Sequence, residues 1–159
     1  MNSKSKKYIR LYDQLKGLLD KSPDLIAQMA TINAILYHKN QNFFWVGFYL
    51  LKSTRLVVGP YQGPVACQEL AYSKGVCWAS IQSAKSIVVE DVEEFPDHIA
   101  CDARSKSEIV IPVFNSKGLP VGVLDIDSDK KANFDDIDRV GLEKIVSLLN
   151  LSWVDCLEK

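Results

Sequence analysis

The sequence predicts an α+β domain, an antiparallel sheet with the N- and C-terminal helices packed on one face and loops on the other. Two patterns predict it. Apolar side chains recur at helical spacing near both ends of the 159-residue chain, and short strand-forming runs joined by turns fill its middle. Hairpin-linked strands pair antiparallel, and helices from both ends can share one face of such a sheet. The length fits one domain, which we predict over residues 1–159.

Two helices are predicted at the start of the chain. Apolar residues at helical spacing predict an amphipathic helix over residues near 4–20. Ser22 and Pro23 then form a helix-start signal, a capping side chain followed by a proline in the first turn. The second helix is expected to end between residues 38 and 40, where an Asn-Gln-Asn run breaks the apolar pattern.

The middle of the chain changes to strand formers. Residues 43–51 and 56–60 are rich in aromatic and β-branched side chains and flank a Lys-Ser-Thr turn, which predicts a hairpin. The segments that follow are an irregular stretch around Cys67, a short helix over 76–84 with Cys77, a strand over 87–89 and a polar loop over 91–106 with Cys101.

A second hairpin and a helix are predicted in the last third. Residues 109–114 and 120–126 are strand-forming runs on either side of an Asn-Ser-Lys-Gly turn. Asp135 is a plausible N-cap with an apolar residue in front of it. An apolar stripe from Ile137 to Trp153 then predicts the last helix.

Charge and hydropathy exclude several classes of protein. A net charge of −1 gives no positive electrostatic field that would bind a phosphate backbone, so nucleic acid is not an expected partner. No apolar stretch approaches the roughly 20 residues that span a bilayer, and no apolar segment of a secretory signal follows the N-terminal lysines. We therefore expect a cytoplasmic protein that does not enter a membrane.

The four cysteines are the most informative residues in such a reducing compartment. They do not form a structural disulfide framework there, and no CxxC pair is present. Cys156 suits a small buried apolar role, and core packing is credible for Cys67 and Cys77 as well. Cys101 lies in a polar loop with Arg104 nearby, and cations lower the pKa of a thiol. His98 together with Cys67, Cys77 and Cys101 could also bind zinc, although the spacing of these residues matches no familiar structural zinc pattern.

Three carboxylates are predicted to meet at one end of the second hairpin. Strict alternation places Asp125 and Asp127 on the same strand face, and Glu108 opens the facing strand at the same end. If that face is partly buried, the charges need a cation, hydrogen bonds or raised pKa values. The cluster therefore indicates cation binding or acid catalysis, unless it is a solvated strand end.

Aromatic residues are concentrated in the first predicted strand. Alternation separates Phe43, Trp45 and Gly47 on one face from Phe44 and the other even-numbered residues on the opposite face. One face fills the core. The other could line a pocket, in which Trp45 and Tyr49 share a face and pack against an apolar or thioether-like group.

Taken together, these segments resemble the free methionine-(R)-sulfoxide reductases, which are stand-alone GAF-domain enzymes. The resemblance runs from about residue 32 to residue 149 and implies a GAF fold. The matching motifs are Trp45-Val46-Gly47-Phe48-Tyr49, Gly59-Pro60-Tyr61-Gln62-Gly63, Lys74-Gly75-Val76-Cys77, Phe95-Pro96-Asp97-His98-Ile99-Ala100-Cys101-Asp102, Ser107-Glu108-Ile109-Val110 and Gly122-Val123-Leu124-Asp125-Ile126-Asp127-Ser128.

The resemblance implies a redox mechanism without cofactor or metal. Cys101 would attack the sulfur of free methionine (R)-sulfoxide and become a sulfenic acid. Cys77 would resolve it as a disulfide, Cys67 would assist in recycling, and thioredoxin would reduce the disulfide. The substrate-binding residues it implies are the acids Glu108, Asp125 and Asp127 and the aromatic residues Trp45 and Tyr49.

Three further features complete the expectation. One departure from the family pattern is Trp78, directly after Cys77, where a small residue is usual. The amphipathic N-terminal helix permits a homodimer. The alternative function is a non-catalytic GAF module that senses redox state or a small molecule; such sensors usually carry an output domain, for which this chain has no room.

Overall fold

An antiparallel sheet runs through the whole molecule. The structure is a computed structural model that describes residues 2–98 and 101–151. The helices are α1 (Ser3–Leu19), α2 (Leu25–Lys39), α3 (Gly75–Ser83) and α4 (Asp136–Val146), and a 3-10 turn spans Val92–Glu94. The strands are β1 (Trp45–Lys52), β2 (Arg55–Gln62), β3 (Glu69–Leu70), β4 (Ile87–Val89), β5 (Ser107–Phe114) and β6 (Pro120–Ser128). Within the described residues they form six strands in the order β3-β2-β1-β6-β5-β4.

Both predicted hairpins are present, and β1 pairs with β6 to join them. The β5–β6 turn is held by Asn115, whose side-chain oxygen accepts hydrogen bonds from the backbone N–H groups of Lys117 and Leu119. Gly118 adopts the left-handed region there, with φ of +75°, which a glycine enters without a Cβ clash. This turn fixes the register of the two strands that carry the acids.

The long helices cover one face of the sheet and form the larger core. The even-numbered side chains Phe48, Leu124 and Ile126 of the central strands are fully buried against α1, α2 and α4. Burying one such side chain contributes about 1.5–3 kcal/mol.

Among the described residues, no helix has the length and apolar character that crossing a bilayer requires.

The opposite face carries a second, smaller apolar cluster under α3 and the loops. Trp45 and Tyr49 of β1, Val110 of β5 and Val123 of β6 pack there with α3. The two faces thus divide as the alternation predicts, with helices from both chain ends on one side and loops on the other. The predicted fold class is confirmed.

Helices α1 and α4 are tied together by a buried carboxylate. Asp138 is only 2% exposed, and it accepts hydrogen bonds from the Tyr8 hydroxyl and the Lys4 ammonium. It also accepts from the backbone N–H of Asp135, which completes a capping box with the predicted N-cap. A buried carboxylate with this many donors is stabilised rather than strained.

Several local predictions were wrong in detail. The N-cap of α2 is Asp24 rather than Ser22, because the Asp24 side chain accepts from the backbone N–H of Ala27. α4 ends at Val146 and does not continue along the predicted stripe, whose last residue, Trp153, lies outside the described residues, as does Cys156. Phe43 packs in the helix-side core and Phe44 on the other side, because β1 begins only after them.

The close approach of α4 to α1 predicts the effect of Gly141→Ala. A Cβ at Gly141 would lie 2.3 Å from a ring carbon of Tyr8, so the helices must separate. We expect the free energy of unfolding to fall by about 1–3 kcal/mol, measured by urea denaturation at constant m-value.

Gly17→Ala is the matched control for this substitution. It also lies in a helix, but nothing is within 4 Å of the added Cβ. It should leave the free energy of unfolding unchanged or raise it by up to about 1 kcal/mol. Equal stability of the two variants would contradict the proposed helix contact.

Candidate active site

The loop-covered face holds a small cavity of about 50 Å³. All of the predicted site residues except Cys67 line it, and Cys67 is bonded to one that does. The lining residues are Phe44, Trp45, Tyr49, Pro64, Val65, Ala66, Leu70, Lys74, Gly75, Val76, Cys77, His98, Cys101, Asp102, Ser105, Glu108, Asp125 and Asp127.

The three predicted carboxyl groups meet in the floor of this cavity. The β5–β6 register pairs Glu108 with Asp127 and Val110 with Asp125. Glu108 is 5% and Asp125 7% exposed, and these two side chains share a hydrogen bond. Asp127 accepts a hydrogen bond from the Ser105 hydroxyl. Three acids therefore lie close together, with Glu108 and Asp125 buried and Asp127 half-buried.

Burial is the main cause of the raised pKa values of these three acids. Desolvation, followed by the nearby Asp127 charge, raises the pKa of Glu108 well above its usual range. Desolvation, followed by the nearby Glu108 charge, also raises the pKa of Asp125 well above its usual range. Burial raises the pKa of Asp127 to about 6. The cluster therefore retains protons near neutral pH and can donate one to a bound ligand.

One acceptor in this cluster, the buried Oδ1 atom of Asp125, accepts no hydrogen bond from the described residues. A buried acceptor left unsatisfied costs about 1–3 kcal/mol. A ligand that donates a hydrogen bond here would recover that free energy.

Two cysteines are joined above the acids. Cys67 and Cys101 form a disulfide with Cα atoms 5.7 Å apart. Cys67 lies in the irregular stretch before β3, and Cys101 lies on an exposed bend before β5. Both are outside regular secondary structure, as the sequence predicts.

This pairing differs from the one that the family resemblance implies, in which Cys77 joins Cys101. Cys77 is a free thiol, 4% exposed, in the first turn of α3. Burial, followed by the charge of Asp125, raises the pKa of the Cys77 thiol well above its usual range. A thiol held protonated is a poor nucleophile. The adjacent Trp78 is also buried, and its ring meets Tyr72 edge-on with centroids 4.8 Å apart, which anchors α3.

The described residues that could bind a metal differ from the set that the sequence suggested. The set of His98 with three cysteines is broken up, because Cys67 and Cys101 are bonded to each other. Instead, ligand atoms of Cys77, Glu108 and Asp125 lie within 4.8 Å of one another. Burial raises the pKa values of all three of these groups, so a cation there would have to displace their protons.

An aromatic wall closes one side of the cavity. The Trp45 ring stacks between Tyr49 and Tyr61, with centroid distances of 5.9 and 5.4 Å. Its indole N–H donates to the carbonyl of Pro64 at 3.2 Å. A Cβ at Gly47 would lie 2.3 Å from the Trp45 ring, so only glycine leaves room for this stack.

The sequence reasoning missed several contributors to the site. Tyr61 and Gly47 occur within the family motifs, but the sequence pattern does not predict their contacts with Trp45, and it does not predict that Ser105 donates its hydroxyl proton to Asp127. His98 was considered only as a zinc ligand, whereas its Nε2 atom lies 3.5 Å from an oxygen of Glu108. The signal available was the position of His98 in a polar loop three residues before Cys101.

Comparison with known proteins agrees with this fold. A family model of the GAF domain matches residues 31–151. The GAF domain-containing protein A of Dictyostelium discoideum is 47% identical over 93% of both chains. The free methionine-R-sulfoxide reductase of Escherichia coli is 39% identical over 92% of this chain and 88% of its own. The X-ray structure of free methionine-R-sulfoxide reductase from Neisseria meningitidis in complex with its substrate has a TM-score of 0.89 at 38% identity, covering 94% of this chain and 90% of that one.

The fold and the family model define the class: this is a GAF-domain protein. More narrowly, the chain belongs to the family of free methionine-R-sulfoxide reductases, which are oxidoreductases. The family predicted from the sequence motifs is thereby confirmed, and the enzyme is favoured over the sensor. The roles of individual residues, and the span of the domain beyond residues 31–151, stay predictions.

The raised pKa of Asp127 predicts a pH dependence of stability. Its pKa is about 6 in the folded protein, against an ordinary value of 3.8. The folded protein then binds more protons than the unfolded chain between these values, so protonation stabilises the fold at low pH, and this contribution is lost as the pH rises through 6. Between about pH 5 and about pH 7.5, the wild type should lose about 1.4 kcal/mol more free energy of unfolding than Asp127→Asn.

Urea denaturation at the two pH values measures this difference. Asp129→Asn is the matched control, since Asp129 is exposed two residues further on, and it should keep the pH dependence of the wild type. Parallel pH dependences in the wild type and Asp127→Asn would show that the carboxyl is not held protonated.

Proposed function

We propose that this protein reduces free methionine (R)-sulfoxide to methionine, with Cys101 as the nucleophile. One observation carries the proposal: Cys101, which is bonded to Cys67, lines the same cavity as three carboxyl groups whose pKa values are raised by burial. Removing oxygen from a sulfoxide requires a sulfur nucleophile and an acid that protonates the oxygen. The names of the E. coli relative and the N. meningitidis neighbour support the same substrate.

The acid cluster suits a free amino acid rather than a residue within a protein. The unsatisfied Oδ1 atom of Asp125 offers an acceptor for the substrate ammonium group. A methionine residue within a chain has no such ammonium group. Trp45 and Tyr49 would contact the methyl group and side chain of the substrate, since both line the cavity.

The first half-reaction transfers oxygen from the substrate to the protein. The Cys101 thiolate attacks the sulfoxide sulfur while a carboxyl group protonates the oxygen. The oxygen passes to Cys101, which becomes a sulfenic acid, and methionine leaves. The substrate sulfur is reduced by two electrons and the Cys101 sulfur is oxidised by two.

The second half-reaction closes the disulfide. We assign the resolving role to Cys67 rather than Cys77, because Cys67 is the bonded partner of Cys101 and Cys77 is buried and held protonated. The Cys67 sulfur attacks the sulfenic sulfur, and the displaced hydroxide takes the Cys67 proton to form water. In total, two thiols and one sulfoxide give a disulfide, methionine and water.

Thioredoxin is the reductant we propose for the next cycle. Its thiolate would attack the disulfide through a mixed-disulfide intermediate, and the exposed position of Cys101 supports access. This cycle fits a reducing compartment, so we propose a cytoplasmic location. A homodimer, which the amphipathic α1 permits, stays a prediction.

A methionine-release assay tests the substrate assignment. The protein, supplied with thioredoxin and its reducing system, should release methionine from free (R)-sulfoxide. The free (S)-sulfoxide and a peptide with an internal methionine (R)-sulfoxide should react at least roughly 100-fold more slowly, because each loses a contact that the site is built to make. Equal rates for the two epimers, or no methionine from either, would overturn the proposed function.

Three serine variants test the cysteine roles. Cys101→Ser should release no methionine, because the nucleophile is missing. Cys67→Ser, reduced beforehand, should release one methionine per chain and then stop turning over with thioredoxin. Cys77→Ser is the matched control and should keep sustained turnover. Sustained turnover by Cys67→Ser with arrest of Cys77→Ser would instead assign the resolving role to Cys77.

A further inference from the structure

His98 occupies a distinctive place between the buried acids and the solvent. Its Nε2 atom lies 3.5 Å from Oε2 of Glu108, and its side chain lines the cavity. The side chain of His98 is 14% exposed, whereas that of Glu108 is 7% exposed. His98 therefore contacts the acid cluster and is also partly exposed to solvent.

The backbone holds His98 in this position. Asp97, directly before it, adopts the left-handed region with φ of +52°, which an Asp side chain tolerates in turns. The backbone N–H of His98 donates to the carbonyl of Phe95 at 3.3 Å. A sharp turn thus directs the imidazole towards the cavity, which indicates that its placement is specific.

The proposed reaction requires a route by which protons reach Glu108. A carboxyl group that protonates the sulfoxide oxygen must regain a proton in every cycle. The hydrogen-bond partner of Glu108 within the cluster, Asp125, is buried and retains its own proton, and the same holds for Cys77. His98 has a titratable nitrogen 3.5 Å from a carboxyl oxygen of Glu108, and its side chain is partly exposed to solvent.

We propose that His98 is a positioning residue and proton relay that acts through Glu108. This inference rests on the proposed function. The Nε2–H group of His98 donates its proton to Oε2 of Glu108 after Glu108 has protonated the substrate oxygen. The Nδ1 atom of His98 takes up the proton that Cys101 releases as it becomes a thiolate, directly or through water. The first half-reaction then consumes no net proton.

The charges around His98 suit this role. Glu108 of β5 and Asp127 of β6 face it, and the exposed Asp102–Arg104 ion pair follows in the next turn. Burial lowers the pKa of His98, and the charge of Asp127 opposes that shift. The imidazole is therefore neither locked in its charged form nor prevented from gaining a proton.

Single-turnover kinetics of the reduced full-length protein test the relay. His98→Gln keeps a polar side chain that cannot carry a proton, and His98→Ala removes the side chain. Both should slow methionine release from free (R)-sulfoxide roughly 10- to 100-fold without changing the half-saturating substrate concentration. Added imidazole should restore most of the rate in His98→Ala. His38→Gln is the matched control at the other histidine of the chain, which is exposed on α2, and should match the wild type.

Three results would overturn the relay. They are wild-type rates in His98→Gln, a loss in His98→Ala that imidazole does not restore, and a raised half-saturating concentration with an unchanged rate. Thermal denaturation of each variant separates these effects from a loss of the fold.

A second measurement does not depend on activity. If the wild type releases no methionine, the proposed function fails, and NMR titration of His98 in the substrate-free protein still decides the coupling. Asp127→Asn should lower the titration midpoint of His98, because the charge of Asp127 raises the pKa of the imidazole, whereas an unchanged midpoint would overturn the placement of His98 beside the acids on which the relay depends.

Discussion

The register between β5 and β6 is the constraint on which the rest of the site depends. It pairs Glu108 with Asp127 and places Asp125 on the same face two residues away. Leu124 and Ile126, which alternate with Asp125 and Asp127 along β6, are fully buried in the helix-side core. A slip of β6 by one residue would turn Asp125 and Asp127 into that core and the two apolar side chains out of it. The free energy of packing the core thus also holds the acids in their cavity.

Burying these acids destabilises the fold and creates the chemistry at the same time. Desolvation raises the pKa values of all three, so the protein keeps carboxyl groups protonated at a pH at which exposed ones are ionised. The cost is tolerable because the helix-side core and the Asp138 network between α1 and α4 lie on the other side of the sheet. The main apolar core therefore packs on one face of the sheet, and the candidate reactive groups lie on the other.

The sequence predicted the features that depend on local periodicity. Alternation along β6 predicted the acid face, and helical spacing predicted the long helices and their common side. The α2 cap was misassigned because Ser and Asp are both good caps, and in the folded chain it is the Asp24 side chain that accepts from the backbone N–H of Ala27. The disulfide partner of Cys101 was beyond prediction from spacing, since it depends on how two irregular segments meet over the sheet. The His98 contact with Glu108 is of the same non-local kind.

The site also separates rigid groups from groups that must change partners. The acids and Trp45 are on paired strands, whose hydrogen bonds hold them in position. Cys67 and Cys101 lie outside regular structure, so forming or breaking their bond disrupts no helix or strand ladder. Cys77, by contrast, begins a helix anchored by the buried Trp78, and moving it would expose that ring. A thiol that resolves a sulfenic acid must move towards it, and this requirement favours the cysteine on the loop over the cysteine in the helix.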